Sequence, residues 1–179
     1  MATSYSTNNA FLSSLMFFLL IGSSYAITTA NINAICGKTL NPSFCLKFLK
    51  SNPKILAAGL PAVAKIAIDS AQTSASKTFK RIQSIVQKTT DPKSKQAYTS
   101  CLDNYESVVD TLDEAKEHLA AGDPVSVNVK VSAAMDGPDS CLDDLKNVKA
   151  DPSVVKSSEY IGNVCGITLV IANMLPRRT

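Results

Sequence analysis

The sequence predicts an all-α protein: an up-down-up-down four-helix bundle with a short N-terminal helical hairpin ahead of it. Three observations predict this. Four long segments, about 54–89, 92–121, 125–147 and 152–175, repeat their apolar residues every three or four positions. Asn-Pro or Asp-Pro pairs at Asn41-Pro42, Asn52-Pro53, Asp91-Pro92, Asp123-Pro124 and Asp151-Pro152 mark turns or helix starts, with Asn or Asp as the cap and proline in the first turn. The links between segments are short, which forces antiparallel neighbours. Strands at the β-branched stretches 127–131 and 167–171 are the competing reading, but no turn pairs them as hairpins.

In chain order, residues 1–26 come first. They contain no charged residue, carry an apolar run from Phe11 to Ile21, and end Ser24-Tyr25-Ala26, a small-x-small cleavage pattern. The run is shorter than the roughly 20 residues that cross a bilayer. Residues 1–26 are therefore expected to be a secretory signal. Residues 27–179 are expected to form one soluble, exported domain, with the hairpin at 27–53 and the bundle at 54–179. In the first long segment Ile55, Val63, Ile66, Ala67, Ser70, Ser74, Ile82, Ile85 and Val86 form the stripe, and small Ala and Ser side chains invite close helix approach. In the second, Tyr98, Cys101, Tyr105, Val108, Leu112, Ala115 and Leu119 form one face, with acidic residues on the others. In the third, Val127, Val131, Ala134, Cys141, Leu145 and Val148 do so, and Met135–Ser140, "MDGPDS", is expected to kink or loop the helix. In the fourth, Ile161, Val164, Cys165, Thr168, Leu169, Ala172 and Leu175 make a broad apolar face.

Charge and chemistry exclude several classes. The net charge of +3 is small and the basic residues are scattered, so nucleic acid is not an expected partner. His118 is the single histidine, no cysteine pair has metal-site spacing, and no nucleophile elbow, phosphate loop or zinc-protease motif occurs. No catalytic residue, no metal and no cofactor is expected. His118 lies near a helix C-terminus, where it faces the helix dipole or solvent.

Export permits disulfides, and five cysteines leave one unpaired. Cys36 and Cys45 flank the Asn41-Pro42 turn. Cys101 lies 22 residues before Asp123 and Cys141 lies 18 after it, so at ~1.5 Å per residue they reach similar heights on adjacent antiparallel helices. Level helices are necessary for a bridge but not sufficient, since the Cα atoms must also come within ~7 Å. Several pairings stay open; 36–45 with 101–141 is the favoured one, leaving Cys165 as a thiol within an apolar stripe. A ten-residue loop closed by Cys36–Cys45 would contribute about 2–3 kcal/mol, which suits a hairpin too short to be stable alone.

Four stretches resemble one family, the plant invertase and pectin methylesterase inhibitors: "ICGKTLNPSFCLKFLKSNP" at 35–53, "TDPKSKQAYTSCLDNYESVVDTLDEAKEHLAAGD" at 90–123, "VNVKVSAAMDGPDSCLDDL" at 127–145 and "VCGITLVIANMLP" at 164–176. The resemblance runs from about Asn33 to Pro176. It implies a four-helix bundle with a disulfide-closed hairpin, the pairing favoured above, and an inhibitor rather than an enzyme. Invertase inhibitors carry Pro-Lys-Phe after Gly-Asp at the second turn of the bundle, whereas this chain reads Gly122-Asp123-Pro124-Val125-Ser126 and lacks the cation and the aromatic ring. The resemblance therefore favours pectin methylesterase as the partner, with acid invertase as the alternative target. It implies a monomer that forms a stoichiometric, non-covalent 1:1 complex in the apoplast or cell wall, covering the esterase's substrate cleft. The inhibitory interface carried over is Asp103, Asn104, Ser107 and Asp110 on the second bundle helix and Ser140 on the third. Ser107 stands where some relatives have an acid, and Ser140 where threonine is common. A carrier bundle holding a small apolar ligand is the rival of another class.

Overall fold

The computed structural model describes residues 26–177; the expected signal, apart from Ala26, lies outside that range. Seven α-helices follow in order: α1 (Thr29–Cys36), α2 (Pro42–Ser51), α3 (Pro53–Leu56), α4 (Leu60–Lys88), α5 (Pro92–Ala121), α6 (Pro124–Asp144) and α7 (Pro152–Ala172), with a 3-10 turn at Leu145–Asn147. No strand occurs among the described residues, so the β-branched stretches are helical.

The Asn-Pro and Asp-Pro pairs start helices as expected. The Asn41 side chain accepts from the amide of Phe44, Asn52 from Lys54, Asp91 from Ser94, Asp123 from Ser126, and Asp151 from Ser153 and Val154. Each cap satisfies an amide that the first turn leaves unpaired, and each proline sits where no amide is needed. Helix α5 ends on Gly122, whose φ of 70° is the left-handed conformation that a side chain disfavours.

Four long helices close a ring, α4 on α5, α5 on α6, α6 on α7 and α7 back on α4. The core between them holds Ala71, Ala75, Ile82, Tyr105, Leu112, Val131 and Ile161. Small residues of α4, Ala67, Ala71 and Ala75, lie in this core. The phase differs from expectation, however: Ala71, Ala75 and Thr78 are buried, while Ser70 and Ser74 are only half-buried. Ser70 instead shares a 2.6 Å hydrogen bond with Tyr160 of α7. The first long segment is also broken. Residues 57–59 separate α3 from α4, and Gly59 caps α4 with Pro61 in its first turn.

Helix α6 is not interrupted at "MDGPDS"; it runs through Pro138, which is buried. A proline deprives a helix of one hydrogen bond. Here packing outweighs that loss. A Cβ on Gly137 would stand 2.3 Å from Val108 Cγ2 and 3.0 Å from the Asn104 carbonyl, so only glycine lets α5 lie this close.

Both expected disulfides are present, with Cα separations of 5.4 Å for Cys36–Cys45 and 4.5 Å for Cys101–Cys141. The N-terminal helices share a second buried cluster, with Ile35, Leu49 and Ile55 against Val63, Ile167 and Ile171. Phe44 stacks on Phe48 and meets Tyr160 edge-on at 5.6 Å, fixing α2 to α7. Cys165 is a buried free thiol, pushed up to about 12 by burial. It is a core group, because only the thiolate is a nucleophile.

Candidate functional site

Asp103, Ser107 and Asp110 follow one another at spacings of four and three on α5. At 100° per residue that places them within about 60° of arc, and all three are exposed. The apolar stripe of α5, Cys101, Tyr105, Val108 and Leu112, is buried and so fixes this row outward. Asn104 lies 100° round the helix and is half-buried, because its backbone sits under Gly137 of α6. Ser140 is exposed one turn beyond Gly137 and next to the bridged Cys141. Four of the five residues are thus exposed, three on α5 and one on α6, and Asn104 lies at the seam between the two helices.

The electrostatics of this flank divide its carboxylates into two sets. Asp113 is held by Lys116 at 2.6 Å; that hydrogen bond, then one with Gln72, lowers its pKa below the usual carboxylate value. Glu114 pairs with Lys130 across α5 and α6. Asp103, Glu106 and Asp110 have no ion-pair partner among the described residues. These are solvated negative charges on a fixed frame, open to an incoming cation. Asp110 also edges a shallow groove between α4 and α5, lined by Ser76, Phe79, Lys80, Glu106 and Val109.

The frame itself escaped the sequence reading. Besides the Cys101–Cys141 bridge, Ser100 donates to Asp144 at 2.6 Å, and Lys130 reaches Glu114. Gly137, a lone glycine in a helical pattern, was the one visible sign of close approach. The second turn of the bundle has a capping duty: Asp123 caps α6, Pro124 is buried and Val125 is half-exposed. His118 Nδ1 stands 3.9 Å from Asp123.

Among the described residues no cluster of three or more His, Cys, Asp or Glu could hold a metal, and no helix is long and apolar enough to cross a membrane. The fold is a disulfide-bonded bundle of four long helices with a helical hairpin at its N-terminus.

The comparisons with known proteins agree. The plant invertase/pectin methylesterase inhibitor family profile matches residues 30–171, and the chain belongs to that family. It is 60% identical over 171 residues, covering 95% of this chain and 96% of the relative, to pectinesterase inhibitor 1 of Arabidopsis thaliana. It is 52% identical over 171 residues, 96% of this chain and 98% of the relative, to pectinesterase inhibitor 2 of the same plant. The crystal structure of a mutant form of an Arabidopsis pectin methylesterase inhibitor superposes with a TM-score of 0.78 at 55% identity, covering 82% of this chain and 98% of that one. Family and near relatives are enzyme inhibitors, and the chain is an inhibitor rather than an enzyme.

Proposed function

We propose that the protein inhibits pectin methylesterase by a stoichiometric, non-covalent 1:1 complex in which the outer face of α5 and α6 covers the esterase's substrate cleft. The observation that carries this reading is the outward row Asp103–Ser107–Asp110, with two carboxylates unpaired, in a chain 60% identical to a pectinesterase inhibitor. A cleft that accepts polyanionic pectin favours cationic groups, and those carboxylates are their complement. Asn104 and Ser140 flank the row. Such ion pairs act more on association rate and specificity than on affinity. The protein acts as a monomer, exported to the cell wall after loss of residues 1–26, with a hairpin at 27–53 and the bundle at 54–179. Acid invertase is disfavoured as the target because Val125 and Ser126 supply neither cation nor aromatic ring at the turn.

Titration of the purified protein against a plant pectin methylesterase and an acid invertase tests the reading. Loss of esterase activity at one equivalent, with invertase untouched, is expected. Asp110→Lys reverses one charge at an exposed, unpaired position. It is expected to weaken inhibition about tenfold or more while leaving the helical circular dichroism signal and melting temperature unchanged. Unchanged inhibition would remove Asp110 from the interface.

A further inference from the structure

The net charge of +3 conceals a segregation. Between residues 27 and 64 the charged side chains are Lys38, Lys47, Lys50 and Lys54, with no carboxylate among them. Between residues 100 and 151 twelve carboxylates stand against four lysines. All four N-terminal lysines are exposed, and none enters an ion pair among the described residues. In the bundle the cations are mixed: Lys65, Arg81, Lys116, Lys130 and Lys146 each hold a carboxylate, while Lys77, Lys80, Lys88, Lys93 and Lys95 hold none. Lys47 and Lys50 stand one turn apart on α2, and Lys54 follows on α3.

The frame beneath these lysines is fixed. Cys36–Cys45 closes the hairpin, and the Phe44–Tyr160 contact seats it on α7. Its position also matters. Helices α1 and α2 lie against α7, and α3 against α4; none lies against α5 or α6. The cationic end and the acidic flank are therefore separate surfaces of one body.

We infer that the N-terminal hairpin is a docking surface for a linear polycarboxylate, de-esterified pectin, which holds the inhibitor on the polymer that its target produces. The choice of polymer rests on the esterase-inhibitor reading. Each methyl ester hydrolysed leaves one carboxylate on the chain, so polyanion accumulates where the esterase works. Unpaired cations on a rigid scaffold attract such a chain at several points at once, and salt screens that attraction. The acidic α5–α6 flank repels the same polymer, which orients the protein hairpin-down and leaves the proposed inhibitory face free. Fully methylated pectin lacks the charge and is not held.

Retention on immobilised polygalacturonate, at low and high salt, tests this. The wild type is expected to be held at low salt and released at high salt. Lys47→Glu/Lys50→Glu/Lys54→Glu is expected to bind about tenfold or more weakly, and the matching triple arginine variant to be retained. Circular dichroism and inhibition assayed on soluble substrate stay at wild-type values in both. The inference is overturned if the wild type is not held, if methylated pectin holds it equally, or if the glutamate variant is held as tightly. Partition onto anionic phospholipid vesicles as strong as onto the polymer would also overturn it, by assigning the surface to membranes. Asp110→Lys separates this inference from its parent: inhibition falls while polymer retention persists. A wild type that is held on the polymer but inhibits no esterase refutes the parent reading alone.

Discussion

Adding one methyl group at Gly137 tests the packing that fixes the α5–α6 flank. An ideal Cβ there lies 2.3 Å from Val108 Cγ2 and 3.0 Å from the Asn104 carbonyl oxygen. Carbon atoms in contact prefer about 3.5–4.0 Å, so something must retreat by more than an ångström. Val108 is 2% exposed and, as a β-branched residue in a helix, has one strongly preferred rotamer. The other neighbour is backbone, and the Cys101–Cys141 bridge ties the same two helices and resists their parting. Over-packing of this kind costs about 1–3 kcal/mol, here toward the upper end. Alanine regains about 1 kcal/mol of helix propensity over glycine. Gly137→Ala is therefore expected to destabilise the protein by about 2 kcal/mol, lowering the melting temperature by about 4–8 °C. Gly162→Ala and Gly166→Ala are the controls. Both lie inside α7 with nothing within 4 Å of the added carbon, so each is expected to gain about 0.5–1 kcal/mol. Urea and thermal unfolding of the disulfide-intact proteins measure all three. Equal signs for Gly137→Ala and Gly162→Ala would refute the close-approach argument.

Three further outcomes follow from the same structure. Removing Cys101–Cys141, whose cysteines are 40 residues apart, is expected to cost about 4 kcal/mol against about 2.7 kcal/mol for Cys36–Cys45, as read from urea midpoints of the double alanine variants. Hydrogen bonds from Ser153, and then from Arg81, hold the Asp151 carboxyl at about 2, below its ordinary 3.8. That stabilisation is present above pH 3.8 and is lost as pH falls toward 2. After discounting for the exposed Arg81 it is on the order of 1 kcal/mol, so the stability gap between wild type and Asp151→Asn is expected to shrink over that window. Burial raises Tyr105 from 10 to about 12 and Cys165 from 9 to about 12. Each contributes stability that is complete below its unfolded value and lost as pH rises toward 12. Stability, read from urea midpoints across alkaline pH, is thus expected to start falling near pH 9 in the wild type and near pH 10 in Cys165→Ala.

The legible part of the fold was the part set by local chemistry. Asn41, Asn52, Asp91, Asp123 and Asp151 each announce a helix, because a capping side chain and a following proline act within one turn. The α5 stripe was readable because a single spacing runs from Tyr98 to Ala115 without a competing apolar face. Only the middle of α4 was misphased: Val63, Ala67 and Ile82 are buried as expected, but Ala and Ser are both small, so the sequence alone did not say whether Ala71 or Ser70 faces inward. The continuity of α6 was missed because Pro138 is a local penalty, whereas its burial depends on tertiary packing that local chemistry does not announce. The row at Asp103, Ser107 and Asp110 came from family resemblance. Periodicity supports its outward aspect, but its lack of ion partners depends on where Lys116 and Lys130 reach.

That lack of partners bears on why an inhibitor is built this way. Asp113 and Glu114, close to the row, are each engaged by a lysine, whereas Asp103, Glu106 and Asp110 are not. The lysine that engages Glu114 stands on α6, and the bond therefore braces the two helices rather than simply solvating α5. The Ser100–Asp144 hydrogen bond, the Cys101–Cys141 bridge and the close approach at Gly137 brace them further. Association costs translational and side-chain freedom, and a surface already held in shape loses less of the latter. Short acids on a braced helix pair present charge with few rotamers to freeze. In the proposed complex, then, α5 and α6 act as one rigid unit, and the scaffold's contribution lies in holding Asp103 and Asp110 at a set distance from Ser140 rather than in any chemistry of its own.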